Sequence, residues 1–322
     1  MKVTAPAPTS LGHGLLVMGD LWNLLIVRTL LTEGPARFGD LRTRLGISDP
    51  VLTRRLRDLA ADGLVEAHEY HAAPPRRDYR LTGSGEELWP ALAALHAWDR
   101  RWAPGSALRL RGALTHAACG NRTDPVFGCG ACGAIGLSAR DTTASVDRSV
   151  PFASTNPRRR YHRSASVGGR DGTAPHNGSA PAPDAPVAGA AVLADRTSTS
   201  LLAAAFLGHR RFGDFQTLLH DTAPHTVTTR LALLTDQGIL EKSPLRDGGR
   251  RQGYRLTPKG HDFFPTFAFL IAWAARWFHE DGRPGVHIGH RACGADLLPR
   301  WTCNACNGQL DALTLGVPPT AP

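Results

Sequence analysis

Cysteine is scarce in this chain, with six residues among 322, and so are methionine, with two, and tyrosine, with four. The cysteines fall into two groups of three, so disulfides inside a group would leave one thiol over, which argues against a disulfide framework. Long apolar runs are also missing. The most apolar stretch near the start, Leu15 to Leu31, is broken by Asp20, Asn23 and Arg28 and has no basic leader. It reads as neither an export signal nor a membrane span, and the expected location is the cytoplasm. Acidic residues are outnumbered, 28 against 37 Lys and Arg, for a net charge of +9. That balance suits an anionic partner such as nucleic acid. No glycine-rich phosphate loop, G-x-S-x-G elbow or H-E-x-x-H motif occurs, and no βαβ pattern flanks the C-x-x-C pairs, so an enzyme is not expected.

What is present is a repeat. Residues 116–133 read HAACGNRTDPVFGCGACG and residues 290–307 read HRACGADLLPRWTCNACN. His116, Cys119, Cys129 and Cys132 recur as His290, Cys293, Cys303 and Cys306, and the two H-x2-C-x9-C-x2-C motifs use all six cysteines. The repeat extends upstream. RFGDL (37–41) matches RFGDF (211–215), DYRLTGSGEELWP (78–90) matches GYRLTPKGHDFFP (253–265), and AWDRRW (97–102) matches AWAARW (272–277). Between the copies, residues 138–192 are rich in Ala, Ser, Gly, Pro and Arg and lack apolar periodicity, so they read as a disordered basic tether. The expected division is a first module at 1–104, a metal-binding segment at 105–137, the tether, a second module at 193–280, a second metal-binding segment at 281–313, and a flexible tail at 314–322.

Within a module the punctuation is clear. LWNLLIVRTLL (21–31) is a core helix closed by Gly34 and Pro35, and FGDLRTRL (38–45) is a short amphipathic helix ending at Gly46. Ser48 is an N-cap candidate with Pro50 in the first turn of the next helix. That helix, 50–61, puts Leu52, Leu56 and Leu59 on one face and Thr53, Arg54 and Arg57 on the other. LVEAHEY (64–70), a loop carrying Pro74, Pro75, Arg76 and Arg77, and DYRLT (78–82) form a hairpin. The order helix, helix, turn, helix, hairpin is a winged helix-turn-helix. The fold class is therefore mainly α with small β wings (α+β), with two such modules in one chain.

These segments, GDLWNLLIVRTL, RFGDLRTRLGIS, VLTRRLRDLAADGLVE and PPRRDYRLTGSGEELWPAL, resemble the HxlR family of winged-helix transcriptional regulators, relatives of the MarR group. The resemblance covers residues 12–103 and, through RFGDF, TTRLALLTDQGILE and GRRQGYRLTPKG, residues 193–280. It implies a sequence-specific DNA-binding regulator, a repressor, that reads an inverted-repeat operator in double-stranded DNA. It makes helix 50–61 the recognition helix and 68–80 the basic wing. Because the family acts as dimers of one-module chains, the resemblance implies a covalent pseudo-dimer, with further homodimerisation open. Helices 85–102 and 261–278 are the candidates for mutual contact. The family's redox-sensing members carry a cysteine just before the first core helix, and residues 1–22 have none.

The expected DNA-contacting residues are Ser48, Val51, Thr53, Arg54, Arg55, Arg57, Arg76 and Arg77 in copy one. In copy two they are Thr226, Thr228, Thr229, Arg246, Arg250 and Arg251. Arg54 and Arg57 are matched by Thr229 and Ala232, so copy one is expected to dominate base readout and copy two to anchor phosphates. Arg55, nearer the core edge, is also open to a structural ion pair. The cysteine segments read as two structural Zn2+ sites per chain, each built from one copy's own His and three Cys, because soft Cys3His sets with x2 knuckles suit tetrahedral zinc. His287 is an alternative to His290. The competing readings are a protein-interaction scaffold and a redox-responsive regulator whose thiolates release zinc.

Overall fold

A computed structural model describes residues 10–72, 75–105, 114–146, 189–246, 249–278, 285–311 and 315–316. Copy one begins with α1 (Ser10–Met18) and α2 (Leu21–Glu33). Asp20 caps α2 by accepting from the backbone N–H groups of Trp22 and Asn23. A two-residue strand β1 (Ala36–Arg37) leads into α3 (Phe38–Leu45) and α4 (Asp49–Ala61). The wing is β2 (Val65–Ala72) and β3 (Pro75–Leu81), and with β1 it forms a three-stranded antiparallel sheet in the order β1-β3-β2. The expected loop at 74–77 is shorter than the sequence suggested. Pro75, Arg76 and Arg77 already belong to β3, where a proline at the first strand position costs no ladder donor. The short α5 (Gly83–Glu86) then turns the chain into the long α6 (Trp89–Trp102).

Next come β4 (Thr115–His116), β5 (Val126–Cys129), a 3-10 turn at Ala139–Asp141 and β6 (Thr142–Val146). Copy two repeats the plan with α7 (Gly189–Leu193), α8 (Arg196–Phe206), α9 (Phe212–Leu218) and α10 (Pro224–Asp236). Its wing is the hairpin β7 (Leu240–Pro244) and β8 (Gln252–Leu256). It continues through α11 (Pro258–His261), α12 (Phe264–Trp277), β9 (Val286–His290), β10 (Pro299–Thr302), β11 (Gln309–Leu310) and β12 (Leu315–Gly316).

The expected tether is shorter than 138–192. Its start forms the 3-10 turn and β6, which pairs antiparallel with β9 of the other copy from Thr142↔His290 to Val146↔Val286. Its end lies in α7. A polar, small-residue stretch lacks an apolar face of its own, but a strand edge supplies its backbone with partners. Residues 147–188, including the basic run at Arg158, Arg159, Arg160 and Arg163, lie outside the described residues. The expected tail also carries structure, because β12 pairs with β4.

The two copies meet through α6 and α12 under an approximate two-fold relation. Trp98 donates its indole N–H to the Lys259 carbonyl at 2.9 Å, and Trp273 does the same to the Ser84 carbonyl at 2.8 Å. One turn on, Trp102 donates to Asp262 and Trp277 to Glu87. Beneath this polar rim Leu88, Leu92, Leu95, Phe263, Phe267 and Leu270 are buried, which is where apolar area is removed from water. The first helices cross over. Gly14 of α1 lies against Ala274 and Trp273, and Gly189 of α7 against Leu95, Trp98 and Asp99. A Cβ at either glycine would stand 3.0 Å from a side-chain atom, so a larger residue would push its neighbour back by a few tenths of an ångström.

Candidate DNA interface and metal centres

In copy one, α4 buries Leu52, Leu56 and Leu59 and turns Thr53 and Arg57 to solvent. Val51 and Arg54 are half-buried, and Ser48 holds the N-cap position without a side-chain cap bond. Arg55 departs from the expected interface. It is 4% exposed and its guanidinium pairs with Asp20 at 2.5 Å. Its spacing explains this, since Arg55 lies three residues after Leu52 and four before Leu59, on the buried face. On the wing Arg77 is exposed and faces Glu69 at 3.5 Å. Arg76 stands on β3, and its side chain lies outside the described residues.

In copy two, α10 buries Val227, Leu231 and Leu234. Thr228 and Thr229 are exposed, and their hydroxyls donate back to the carbonyls of Pro224 and His225 at 3.0 and 2.9 Å. Thr226 is half-buried, its hydroxyl 3.4 Å from the His225 ring. Arg246, Arg250 and Arg251 are exposed around the tip of the second wing.

The chain belongs to the HxlR-like helix-turn-helix family. The family model matches residues 17–107 and again residues 192–282, so it covers both modules and more than half of the chain. Among similar proteins, an HTH-type transcriptional regulator of Mycobacterium bovis is 38% identical over 42% of this chain and 83% of its own length. One from Halalkalibacterium halodurans is 36% identical over 30% of this chain and 87% of its own. A solved structure described as a MarR-family transcriptional regulator of Enterococcus faecalis shares 36% identity over 29% of this chain and 84% of its own, at TM-score 0.27. The HxlR-like matches end at residues 107 and 282, before the first candidate ligand of either copy, His116 or His290.

Those segments form four similar knuckles. In each, the residue before the first ligand pairs with the residue seven positions on: Thr115↔Arg122, Gly128↔Ile135, Gly289↔Asp296 and Thr302↔Gln309. The residue after the second ligand turns left-handed. It is Gly120, Gly133 and Gly294 in three knuckles, and in the fourth Asn307, the one non-glycine residue at positive φ among the described residues. Asparagine tolerates that region, so the turn survives where glycine is absent. Gly308 packs against His116 and the Cys306 sulfur, where a Cβ would stand 3.1 Å from the ring.

The structure sorts the eight ligands differently from the expectation. One group is His116, Cys119, Cys303 and Cys306, and the other is Cys129, Cys132, His290 and Cys293. Within each, one candidate ligand atom per residue lies within 4.8 Å of all the others. In the first, His116 Nδ1 is 3.3 Å from Cys119 Sγ and 3.2 Å from Cys306 Sγ. In the second, His290 Nδ1 is 3.3 Å from Cys132 Sγ and 3.2 Å from Cys293 Sγ. Each group therefore takes its His-x2-Cys knuckle from one copy and its Cys-x2-Cys knuckle from the other. His287 is in neither.

Two of the sulfurs, Cys303 and Cys129, are set up to be thiolates, while their knuckle partners Cys306 and Cys132 are pushed up, in part by the neighbouring thiols. Burial pushes the Cys303 thiol up, but hydrogen bonds from Thr123 and from the backbone N–H groups of Ala305 and Cys306 outweigh it and bring it down to about 6. Burial raises Cys129 as well, and the backbone N–H groups of Leu298, Cys132 and Ala131 more than reverse it. Such N–H donors stabilise the charged sulfur that a metal requires.

Proposed function

We propose that this chain is a sequence-specific DNA-binding transcriptional regulator that acts in the cytoplasm as a repressor on an inverted-repeat operator. The observation that carries the reading is the pairing, within one chain, of two helix-turn-helix units of the HxlR-like family. It matches the symmetry of a two-half-site duplex. On this reading α4 enters the major groove and offers Thr53, Arg54 and Arg57 to base edges, with Ser48 and Val51 at its leading end. The copy-one wing, with Arg76 and Arg77, follows the phosphates. Copy two contributes Thr226, Thr228 and Thr229 from α10, and its wing arginines Arg246, Arg250 and Arg251 act as phosphate anchors. Arg55 is not part of this set.

The resident ion of both cysteine groups is zinc. Four borderline-to-soft ligands close the coordination sphere and leave no position for water or substrate, which makes the sites structural.

Selection from fragmented genomic DNA at two salt concentrations tests the main reading. We expect an enriched site with two half-sites. Its affinity should fall with a log–log salt slope of about −0.9 per phosphate contact. No enrichment, with weak salt dependence, would replace the DNA reading by a protein-interaction role.

A further inference from the structure

We propose that each zinc ion is held jointly by the two copies, so that the pair of ions staples the two winged-helix units together. This rests on the zinc reading above and adds to it which ligands share an ion and what the sharing does.

The strand register carries the inference. β5 and β10 come from equivalent places in the repeat and pair antiparallel with each other, Phe127 opposite its own counterpart Trp301. The flanking pairs Gly128↔Arg300 and Val126↔Thr302 are symmetric about that point. Antiparallel pairing sends the two Cys-x2-Cys knuckles to opposite ends of the strand pair. Cys129 lies opposite Pro299 at one end, and Cys303 follows Thr302 at the other. At about 3.3 Å per residue, an offset of four residues separates them by about 13 Å.

His116 sits at the Cys303 end, where its own knuckle reaches the partner knuckle. Asn304 accepts from the Asp124 backbone N–H, and its Oδ1 lies 3.1 Å from the Thr123 hydroxyl. A tetrahedral ion with bonds of about 2.0–2.3 Å holds its ligand atoms about 4 Å apart or less. It cannot join His116 to Cys129 while β5 and β10 stay paired. The other end repeats the arrangement: Gly130 donates to the Leu298 carbonyl at 2.7 Å, and Cys132 meets His290.

The shared ribbon also sits on the dimer-like contact. Trp301 donates its indole N–H to the Pro90 carbonyl of α6 and stacks at 5.1 Å on Phe269 of α12. Phe127 packs edge-on against Phe264 and Phe269. The ions therefore brace the α6–α12 contact that relates the two helix-turn-helix units. Neither copy can complete a site by itself.

Two double variants of the full chain test the sharing by metal analysis after gel filtration. We expect two zinc ions in the parent, one in Cys119→Ala with Cys306→Ala, which breaks one group, and none in Cys119→Ala with Cys132→Ala, which breaks both. The reverse, none in the first and one in the second, would overturn the proposal and restore sites local to each copy. A parent without metal would remove the zinc reading and this inference together, while the DNA selection stands as a separate result. Should a variant fail to fold, the parent loaded with cadmium-113 decides. One cadmium resonance should correlate with the β-protons of Cys119, Cys303 and Cys306, and correlation with Cys119, Cys129 and Cys132 would refute the sharing.

Discussion

On α4 the solvent side carries Thr53, Arg54 and Arg57, whereas the matching positions of α10 carry Thr228, Thr229 and Ala232. The wings differ in the same sense. That of copy one has strands of eight and seven residues and a third strand, β1, along its edge. That of copy two has strands of five and five, and a single backbone bond from Tyr254 to Arg210 stands where β1 would pair. The buried faces of the two helices are alike, as are the tryptophan bonds across α6 and α12. Duplication has kept the frame and let the reading surface diverge, as expected if packing constrains both copies while base contact constrains mainly one.

The sharpest test of the frame uses one ion pair in two settings. Arg55–Asp20 and Arg230–Asp195 occupy matching positions and each tie the third helix to the cap of the first core helix. The first is buried, with side chains 5% and 8% exposed, and the second is partly open, at 36% and 16%. Replacing Arg55 by Met strands a buried carboxylate and should destabilise the fold by about 3–5 kcal/mol. Arg230→Met should cost about 0–1 kcal/mol, because solvent screens the pair it breaks. Urea unfolding of both variants measures the difference, and equal costs would mean that the two ion pairs are equally screened by solvent.

The reading surface should give the next largest effect. Arg54→Ala should relax preference at one base position by about 1–3 kcal/mol. Arg250→Ala should weaken binding to every sequence alike and reduce the salt slope by about one contact. Thr229→Ala should weaken its half-site by less than Arg54→Ala weakens the other, since that hydroxyl already donates its proton to the His225 carbonyl and can meet the DNA only as an acceptor. Binding to a systematic set of single-base operator variants separates the three outcomes. Equal sensitivity of both half-sites to Arg54 and Thr229 substitutions would show that the copies read DNA equivalently.

Much of this architecture is legible in the residues. The 3.6-residue spacing of Leu52, Leu56 and Leu59 marks the buried side of α4, and it also puts Arg55 at the core edge, where a base contact and a structural ion pair are both open until Asp20 is seen to pair with it. The eight candidate metal ligands stand out because the x2 knuckles recur intact. Their sorting into two groups does not stand out, and the reason is physical. Both copies read H-x2-C-x9-C-x2-C, so local and shared groups contain the same ligand types at the same knuckle spacing. Only the pairing of β5 with β10 distinguishes them, and that pairing joins residues 170 to 176 positions apart. The order at residues 138–146 is hidden in the sequence for a related reason: composition describes a segment's own core-forming capacity and is blind to a strand edge contributed by the other copy.

The smallest expected difference between the copies is in their response to acid. His261 stands where copy one has Glu86, with its ring 6.3 Å from that of Phe206. Partial burial pushes its pKa below the usual imidazole range, the Arg140 charge lowers it further, and Asp262 opposes both. The folded state therefore favours the neutral ring. Where the unfolded chain binds the proton and the folded chain does not, stability falls as pH falls. The contribution should be complete above the ordinary value of about 6.5 and be lost as pH drops through it toward the lower folded value. His261→Gln should remove that loss, so the gap in unfolding free energy between pH 7.5 and pH 5.5 should narrow by less than about 1 kcal/mol relative to the parent. Glu86→Gln should leave the gap at this site in place. If His261→Gln widened it, the ring would be stabilised in its charged form, and Asp262 rather than burial and Arg140 would govern it.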